Sequence, residues 1–245
     1  MPKSKESLKE IYALIVKSLE KTTSSIRKDI KYYRSPDADY HQWTDDDFLE
    51  LMAEVIFAAV PPHDWDKLKP KLGAIKKAFS NFNVSKVVNF TKKDVERIMK
   101  MPEMVHNRRN IEGIIQNAKK MQEIIQEYGS FKNFICYYPY DLKQKLVDTF
   151  YGLGEQTVLD FMKEMGFPVI KDDEHIRRVF YRLGLTGSED VEQEEILKIG
   201  RKIAAAVGEK MPVIDCVFWS FGHYICKARE PDCEECYLTK LCKQK

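Results

Sequence analysis

The chain has 245 residues, of which 44% are hydrophobic, and its 40 Lys and Arg against 38 Asp and Glu give a formal net charge of +2. A chain of this length can bury a large core, either as one domain or as two closely packed lobes. Because the charge is nearly neutral, composition alone does not indicate a nucleic-acid-binding protein. The chain has no run of about 18 apolar residues, and its first residues, MPKSKESLKE, lack the apolar core of a signal peptide. We therefore expect an intracellular protein in a reducing compartment, with no membrane partner.

Apolar residues recur at helical spacing along almost the whole chain, and no segment shows sustained alternation of apolar and polar residues. Well-defined apolar stripes start, in chain order, at Leu8, Phe48, Trp65, Val95 and Ile111. Further helices are predicted at about 141–150, 155–165, 174–184, 191–208 and 213–226. The sequence therefore predicts an all-α protein.

Three residue signals locate helix ends. Thr44 with Asp47, and Thr91 with Asp94, have the spacing at which two side chains and two backbone N–H groups satisfy each other at a helix start. Gly129 follows the longest apolar stripe and suits the left-handed conformation in which many helices end.

Four of the six cysteines lie in CKAREPDCEECYLTKLC, residues 226–242. They are Cys226, Cys233, Cys236 and Cys242, with six, two and five residues between them. Disulfides require an oxidising compartment, and structural zinc usually takes two close cysteine pairs. One close pair flanked by a cysteine on each side is typical of a [4Fe–4S] cluster, so we favour iron–sulfur, with zinc and disulfides as the alternatives. Cys136 and Cys216 stand apart and are interpreted as small buried hydrophobic residues.

A tight turn between two helices is predicted in LVDTFYGLGEQTVLDFM, residues 146–162. Two glycines separated by one apolar residue let the backbone turn sharply, while Leu153 anchors the turn in the core. The second helix, predicted to start at Glu155, presents unpaired backbone N–H groups that can hold an anion such as a DNA phosphate. A plain helical corner is the alternative interpretation.

Two aspartates precede a helix in GFPVIKDDEHIRRVFYRLGL, residues 166–185. Pro168 begins a short extended linker, and either Asp172 or Asp173 suits an N-cap. Alternatively, a carboxylate at this junction could stabilise cationic charge on a sugar or orient a water molecule. The arginines that follow are one of several basic groups, which are usually solvated helix faces.

The order of these three stretches resembles the helix-hairpin-helix DNA glycosylases of the endonuclease III type. The likeness covers most of the chain and is dense over 146–245. It implies that Asp173 is the catalytic aspartate, that the four clustered cysteines bind a [4Fe–4S] cluster, and that the hairpin binds DNA together with a monovalent cation. The residues that the resemblance assigns to DNA contact are Gly152, Leu153, Gly154, Gln156, Thr157, Lys227 and Arg229.

One departure from the family concerns the nucleophile. Bifunctional members carry a lysine two residues after the second hairpin glycine, and Gln156 stands there in this chain. A glutamine cannot form an imine with the sugar. We therefore expect a monofunctional glycosylase that flips a damaged base, such as an alkylated or deaminated purine, from duplex DNA and hydrolyses its N-glycosidic bond. The alternatives are a bifunctional glycosylase/lyase using another lysine, such as Lys171, and a non-catalytic DNA-structure-binding protein.

Two upstream segments, 78–99 and 106–131, resemble 3-methyladenine DNA glycosylase I. The acidic residue with which that family recognises its base is not evident near Trp65, where Phe57 or a neighbour would take its place, so the substrate is not transferred. The aromatic residues considered for a base pocket are Trp43, Trp65, Tyr137, Tyr138 and Trp219.

The expected architecture has two helical lobes. Residues 46–172 would form a helical barrel containing the helix-hairpin-helix at about 141–165. Residues 1–45 with 173–245 would form the second lobe, which ends in the cluster domain at 226–242. We expect a monomer, cytoplasmic or nucleoid-associated, whose partner is damaged double-stranded DNA.

Overall fold

The computed structural model describes residues 4–60 and 65–243, with the side chains of Trp65 and Asp66 outside that description. This part of the chain contains helices and no strand, which confirms the all-α prediction. The α-helices are α1 (Lys5–Thr22), α2 (Ile26–Arg34), α3 (Asp45–Ala58), α4 (Trp65–Leu68), α5 (Leu72–Ala78), α6 (Val84–Val87), α7 (Lys92–Met99), α8 (Arg108–Tyr128), α9 (Phe131–Tyr137), α10 (Leu142–Thr149), α11 (Thr157–Glu164), α12 (Glu174–Arg182), α13 (Gln193–Val207) and α14 (Met211–Tyr224).

The predicted helix ends are present. The backbone N–H of Thr44 donates to Oδ2 of Asp47 over 2.7 Å at the start of α3. The N–H of Thr91 donates to Oδ2 of Asp94 over 2.9 Å at the start of α7. Gly129 ends α8 with a φ of 83°, a conformation that glycine adopts without steric cost. These three ends follow from local side-chain chemistry, which is why the sequence alone located them.

The chain divides into two compact units, one formed by residues 40–161 and the other by residues 1–39 with 162–245. The sequence-based boundaries lay at 46 and 172, whereas the later boundary of the structure falls inside α11. Among the described helices, none has the length and apolar composition needed to cross a membrane.

The core of the 40–161 unit forms around α8. This helix packs against α3, α6, α7 and α9. Phe48 of α3 and Phe131 of α9 are fully buried, with ring centroids 4.8 Å apart. Ile114 and Ala118 of α8 are also fully buried, so the predicted apolar stripe of this helix lies in the core.

The core of the other unit forms around α14, which packs against α1, α2, α12 and α13. α12 and α14 approach closely at Gly222, where an added Cβ would lie 2.8 Å from Cβ of His175 and 3.0 Å from its carbonyl oxygen. A larger residue at this position would force the two helices apart. The close approach brings the helix that follows Asp173 against the helix that leads into the cysteine-rich segment.

Candidate functional site

The hairpin lies in the 40–161 unit, between α10 and α11. Gly152 has a φ of 78° and is exposed, whereas Leu153 is almost fully buried, so the turn is anchored as predicted. The N–H of Val158 donates to the carbonyl of Gly154 over 2.9 Å. This is the first hydrogen bond of the helix, so the backbone N–H groups of Glu155, Gln156 and Thr157 precede it. The side chain of Gln156 is exposed. This geometry suits an anion held by backbone N–H groups.

Helix α8 fixes the hairpin through two asparagines that the sequence analysis did not identify. Oδ1 of Asn117 accepts from the N–H of Tyr151 over 2.8 Å, and its Nδ2 donates to the carbonyl of Tyr151 over 3.0 Å. The Tyr151 hydroxyl donates to Oδ1 of Asn110 over 3.1 Å. Asn110 and Asn117 lie seven residues apart on the apolar stripe of α8, with Ile114 between them. The sequence signal for this contact was the presence of two asparagines on an apolar helix face, because buried amides require hydrogen-bond partners.

Two close approaches leave room only for glycine beside the hairpin. A Cβ on Gly113 would lie 2.0 Å from the Tyr151 ring, so this ring packs directly on the backbone of α8. A Cβ on Gly152 would lie 2.9 Å from Cγ1 of Ile56. Gly154 has open space around it instead, with no atom within 4 Å of an added Cβ. Both hairpin glycines are exposed, but only Gly152 is required by a positive φ and by a close neighbour.

Asp172 and Asp173 lie in the other unit and have different environments. Asp172 is buried, and its two carboxylate oxygens accept from Nε and Nη2 of Arg177 over 2.6 and 2.7 Å. Asp173 is half-buried, and its Oδ1 accepts from the N–H of Ile176 over 3.0 Å, so it is the N-cap of α12. The capping and catalytic interpretations are compatible, because capping engages one carboxylate oxygen. The two aspartates thus differ in their partners: Asp172 forms a bidentate ion pair with Arg177, whereas Asp173 caps α12.

Two buried arginines of α12 hold the start of the cysteine-rich segment. Arg178 donates from Nε to the carbonyl of Cys226 over 2.8 Å and from Nη2 to the carbonyl of Gly222 over 2.9 Å. Arg182 donates from Nη1 to the carbonyl of Lys227 over 2.8 Å and to Sγ of Cys226 over 3.4 Å. These arginines are only 4% and 7% exposed, so the interpretation of this basic group as a solvated face is wrong for them.

Arg178 also orders the ring of His175, since Nη2 lies 2.8 Å from Nδ1 of that histidine. A guanidinium only donates, so Nδ1 accepts and the proton of the neutral ring lies on Nε2. Burial, together with the charge of Arg178, lowers the pKa of His175. Trp219 stacks on His223, with ring centroids 4.7 Å apart, and His175 meets both rings edge-on.

The other aromatic residues considered for a base pocket lie in the 40–161 unit. Tyr137 and Tyr138 contact each other, with ring centroids 5.0 Å apart, and Tyr137 is exposed. Trp43 packs against Phe48 in the core. The side chain of Trp65 lies outside the described residues.

The four clustered cysteines have the donor chemistry that a [4Fe–4S] cluster requires. Burial raises the pKa of Cys236, and the charges of Cys226, Cys233 and Cys242 add to this effect. Two sulfur atoms accept N–H hydrogen bonds, Cys226 from Arg182 and Cys236 from the backbone of Leu238, each over 3.4 Å. In residues 4–60 and 65–243, no three His, Cys, Asp or Glu side chains form a ready-made metal site. Four thiolates are nevertheless the donor set that a [4Fe–4S] cluster takes.

Helix α1 supports the same segment from its other side. The buried Oγ of Ser18 accepts from the N–H of Tyr237 over 3.0 Å. Lys21 forms an ion pair with Glu235 over 2.6 Å. Lys227 and Arg229, assigned to DNA contact by resemblance, are exposed between the first two cysteines. α12 therefore holds the loop that carries them, and α1 holds the later part of the segment at Glu235 and Tyr237.

The chain is similar to several known proteins. Residues 45–149 match the family described as methyladenine glycosylase. The endonuclease III homolog of Encephalitozoon cuniculi is 28% identical over 183 residues, which cover 72% of this chain and 67% of the homolog. Endonuclease III of Bacillus subtilis is 34% identical over 131 residues, which cover 53% of this chain and 54% of that protein. The match therefore spans about half the length of the Bacillus relative.

A solved structure has the same fold. The 8-oxoguanine DNA glycosylase of Thermotoga maritima superposes with a TM-score of 0.58 at 17% identity, covering 86% of this chain and 95% of that one. At this identity the likeness concerns the fold alone. The matches to endonuclease III homologues and to the methyladenine glycosylase family make this chain similar to DNA glycosylases, and the solved structure adds a likeness of fold.

Proposed function

We propose that this protein is a monofunctional DNA N-glycosylase of base excision repair, which removes a damaged base from duplex DNA and leaves an abasic site. The observation that carries the proposal is the fixed carboxylate of Asp173 at the start of α12. The similarity to DNA glycosylases supports base removal as the reaction. The exposed Gln156 of the hairpin supports a product whose strand is not cut.

Asp173 would act on the sugar of the flipped nucleotide. Breaking the N-glycosidic bond leaves positive charge on the sugar, and a carboxylate held in place before the reaction stabilises that charge without reorganising. The hydrogen bond from Ile176 restrains one oxygen of Asp173 and sets the direction of the other. The same carboxylate would orient the water that completes the hydrolysis.

The hairpin would hold the DNA backbone while the base is out of the stack. Flipping costs a few kcal/mol, so the duplex must be held by contacts that persist during the change. The backbone N–H groups that precede Val158 would provide such contacts to a phosphate, without reading a base. Lys227 and Arg229 would add phosphate contacts from the second unit.

Gln156 determines what happens after base loss. An amine at this position would attack the sugar and lead to strand cleavage, whereas an amide is not nucleophilic. The product is therefore an intact strand that carries an abasic site.

Cys226, Cys233, Cys236 and Cys242 would hold a [4Fe–4S] cluster. When bound, it would fix the fold of residues 226–242 and add no step to base removal. The hydrogen bonds from Arg182 and from the backbone of Leu238 to sulfur would lower the charge density on the thiolates.

A panel assay tests the reaction class and names the substrate. Duplex oligonucleotides that each carry one alkylated, deaminated or oxidised base are incubated with the protein, and released base and abasic sites are measured. We expect release from at least one lesion and none from undamaged duplex. Binding to every duplex with no base released from any lesion would contradict the proposed function and favour a DNA-structure-binding protein.

A further inference from the structure

A buried carboxylate contacts the linker that leads to Asp173. Asp215, near the start of α14, is 1% exposed and lies between Ile214 and Cys216, which are also buried. Its Oδ1 accepts from the backbone N–H of Lys171 over 2.6 Å. Its Oδ2 lies 3.3 Å from Nζ of Lys163 on α11.

A charge at this depth is costly for the fold. Taking a carboxylate out of water carries a penalty of several kcal/mol, which a single ion pair does not reliably offset. An apolar residue would continue the pattern of α14 at no such cost. The short bond to the linker N–H is the contact that an apolar residue could not provide, so it indicates a specific role for Asp215.

The linker depends on side chains for its shape, because residues 168–173 have no regular secondary structure. Ile170 is buried and packs against Gly200, with Cδ1 only 3.3 Å from an added Cβ there. Asp172 is held by Arg177 on the other side. The bond from Lys171 to Asp215 fixes the peptide between these two anchors and lies two residues before Asp173.

Lys163 balances the buried charge and is itself held in place. It is 14% exposed and lies 3.2 Å from Oε1 of Glu164 as well as close to Asp215. The hydroxyl of Tyr33 donates to the same Oε1 over 2.6 Å. Burial raises the pKa of Tyr33 well above its ordinary value, so this hydroxyl remains a donor.

We propose that Asp215, balanced by Lys163, is a positioning residue that fixes the linker and thereby the carboxylate of Asp173. The inference rests on the proposed function for its catalytic consequence, whereas the anchoring of the linker is a property of the unit itself. Asp215 touches no substrate in this proposal. It acts through the backbone N–H of Lys171, which requires an acceptor oxygen at this position and not a negative charge.

The test compares Asp215→Ala with Asp215→Asn, which keeps an acceptor oxygen at the same place. Amide hydrogen exchange should accelerate at Lys171 by about tenfold in the alanine variant, as expected when one hydrogen bond is lost. The asparagine variant should retain most of the protection. Because removing one member of a buried ion pair can prevent folding, the double variant Lys163→Met/Asp215→Asn removes both charges and keeps the acceptor. Cys216→Ala, a truncation at the neighbouring buried position, is the control.

Single-turnover base release and DNA binding are measured on the same proteins. We expect Asp215→Ala to lower the rate constant about tenfold with the DNA dissociation constant unchanged, and the double variant to remain near the wild-type rate. Cys216→Ala should keep both the rate and the Lys171 protection, even where it lowers the melting temperature.

Two results would overturn the proposal: unchanged Lys171 exchange in a folded Asp215→Ala protein, or an asparagine variant as impaired as the alanine variant. A wild-type protein that releases no base would contradict the proposed function instead. The exchange comparison would still decide whether Asp215 anchors the linker.

Discussion

Nη1 of Arg182 donates a hydrogen bond to Sγ of Cys226 over 3.4 Å. Arg182 is the last residue of α12, and Asp173 caps the first turn of the same nine-residue helix. One short helix therefore connects the proposed catalytic carboxylate to the first proposed ligand of the cluster. A substitution at one end of α12 should therefore shift the residues at its other end, because the helix is rigid and packs closely on α14 at Gly222.

Replacing Arg182 with methionine should loosen the cysteine-rich segment. Methionine fills a similar buried space but donates no hydrogen bonds, so the carbonyl of Lys227 and the sulfur of Cys226 lose their partner. We expect faster loss of the absorbance near ~400 nm under a chelator, since this band reports the thiolate-bound cluster. Arg201→Met, at an exposed position on α13, is the control and should behave as wild type. Equal loss rates for the two variants would show that Arg182 has no influence on the cluster.

The protein purified without oxygen should contain about four irons per chain. Serine at Cys233 should lower the iron content and the absorbance, because a serine hydroxyl replaces a thiolate ligand. Cys136 is exposed, so its interpretation as a buried residue is wrong, whereas Cys216 is buried as predicted. Cys136→Ser is the matched control, since Cys136 is exposed like Cys233 and lies outside the segment. Stoichiometric zinc without iron in elemental analysis would favour the zinc alternative and contradict the cluster.

The two hairpin glycines should respond differently to substitution. Gly152→Ala puts a side chain at a φ of 78° and against Ile56, so it should destabilise the fold by about 1 kcal/mol or more. Gly154→Val adds a side chain where there is free space, so it should leave the melting temperature unchanged. The added side chain should, however, cover the backbone N–H groups of the turn. We expect Gly154→Val to weaken binding to damaged and undamaged duplex alike. A loss confined to one lesion would indicate that the hairpin reads bases.

The local part of this arrangement could be predicted from the sequence, and the long-range part could not. Helix caps, the left-handed end of α8 and the hairpin turn depend on residues a few positions apart, so their spacing is informative. The burial of Arg178 and Arg182 depends on carbonyl groups more than forty residues away, at Gly222, Cys226 and Lys227. A basic residue in a helix has the same local pattern whether its partner is water or a distant backbone.

Asp215 illustrates the same limit. An aspartate in an apolar stretch signals burial with a partner, but the stretch does not say which backbone N–H it meets. The role of Asp173 could be predicted only through resemblance, because an N-cap and a catalytic carboxylate occupy the same position before a helix. The structure gives the two aspartates different partners, since Asp172 pairs with Arg177 and Asp173 caps α12.

Asp173→Asn should separate catalysis from folding. Asparagine is as good an N-cap as aspartate, so α12 and the melting temperature should be preserved. The negative charge is lost, and removing one electrostatic contribution of this kind typically costs about 10²–10³ in rate. DNA binding should change little, because the charge acts on the transition state. Full activity in a folded Asp173→Asn protein would remove Asp173 as the catalyst.

We expect this chain to remove a base without cutting the strand, since Gln156 stands where the resemblance to bifunctional glycosylases places a lysine. Single-turnover reactions on the best substrate of the panel, with and without alkali and with borohydride, test it most directly. We expect an intact strand before alkali, cleavage at the abasic site after alkali, and no covalent adduct. Efficient cleavage without alkali, together with a borohydride-trapped protein–DNA complex, would contradict the account and identify a lyase.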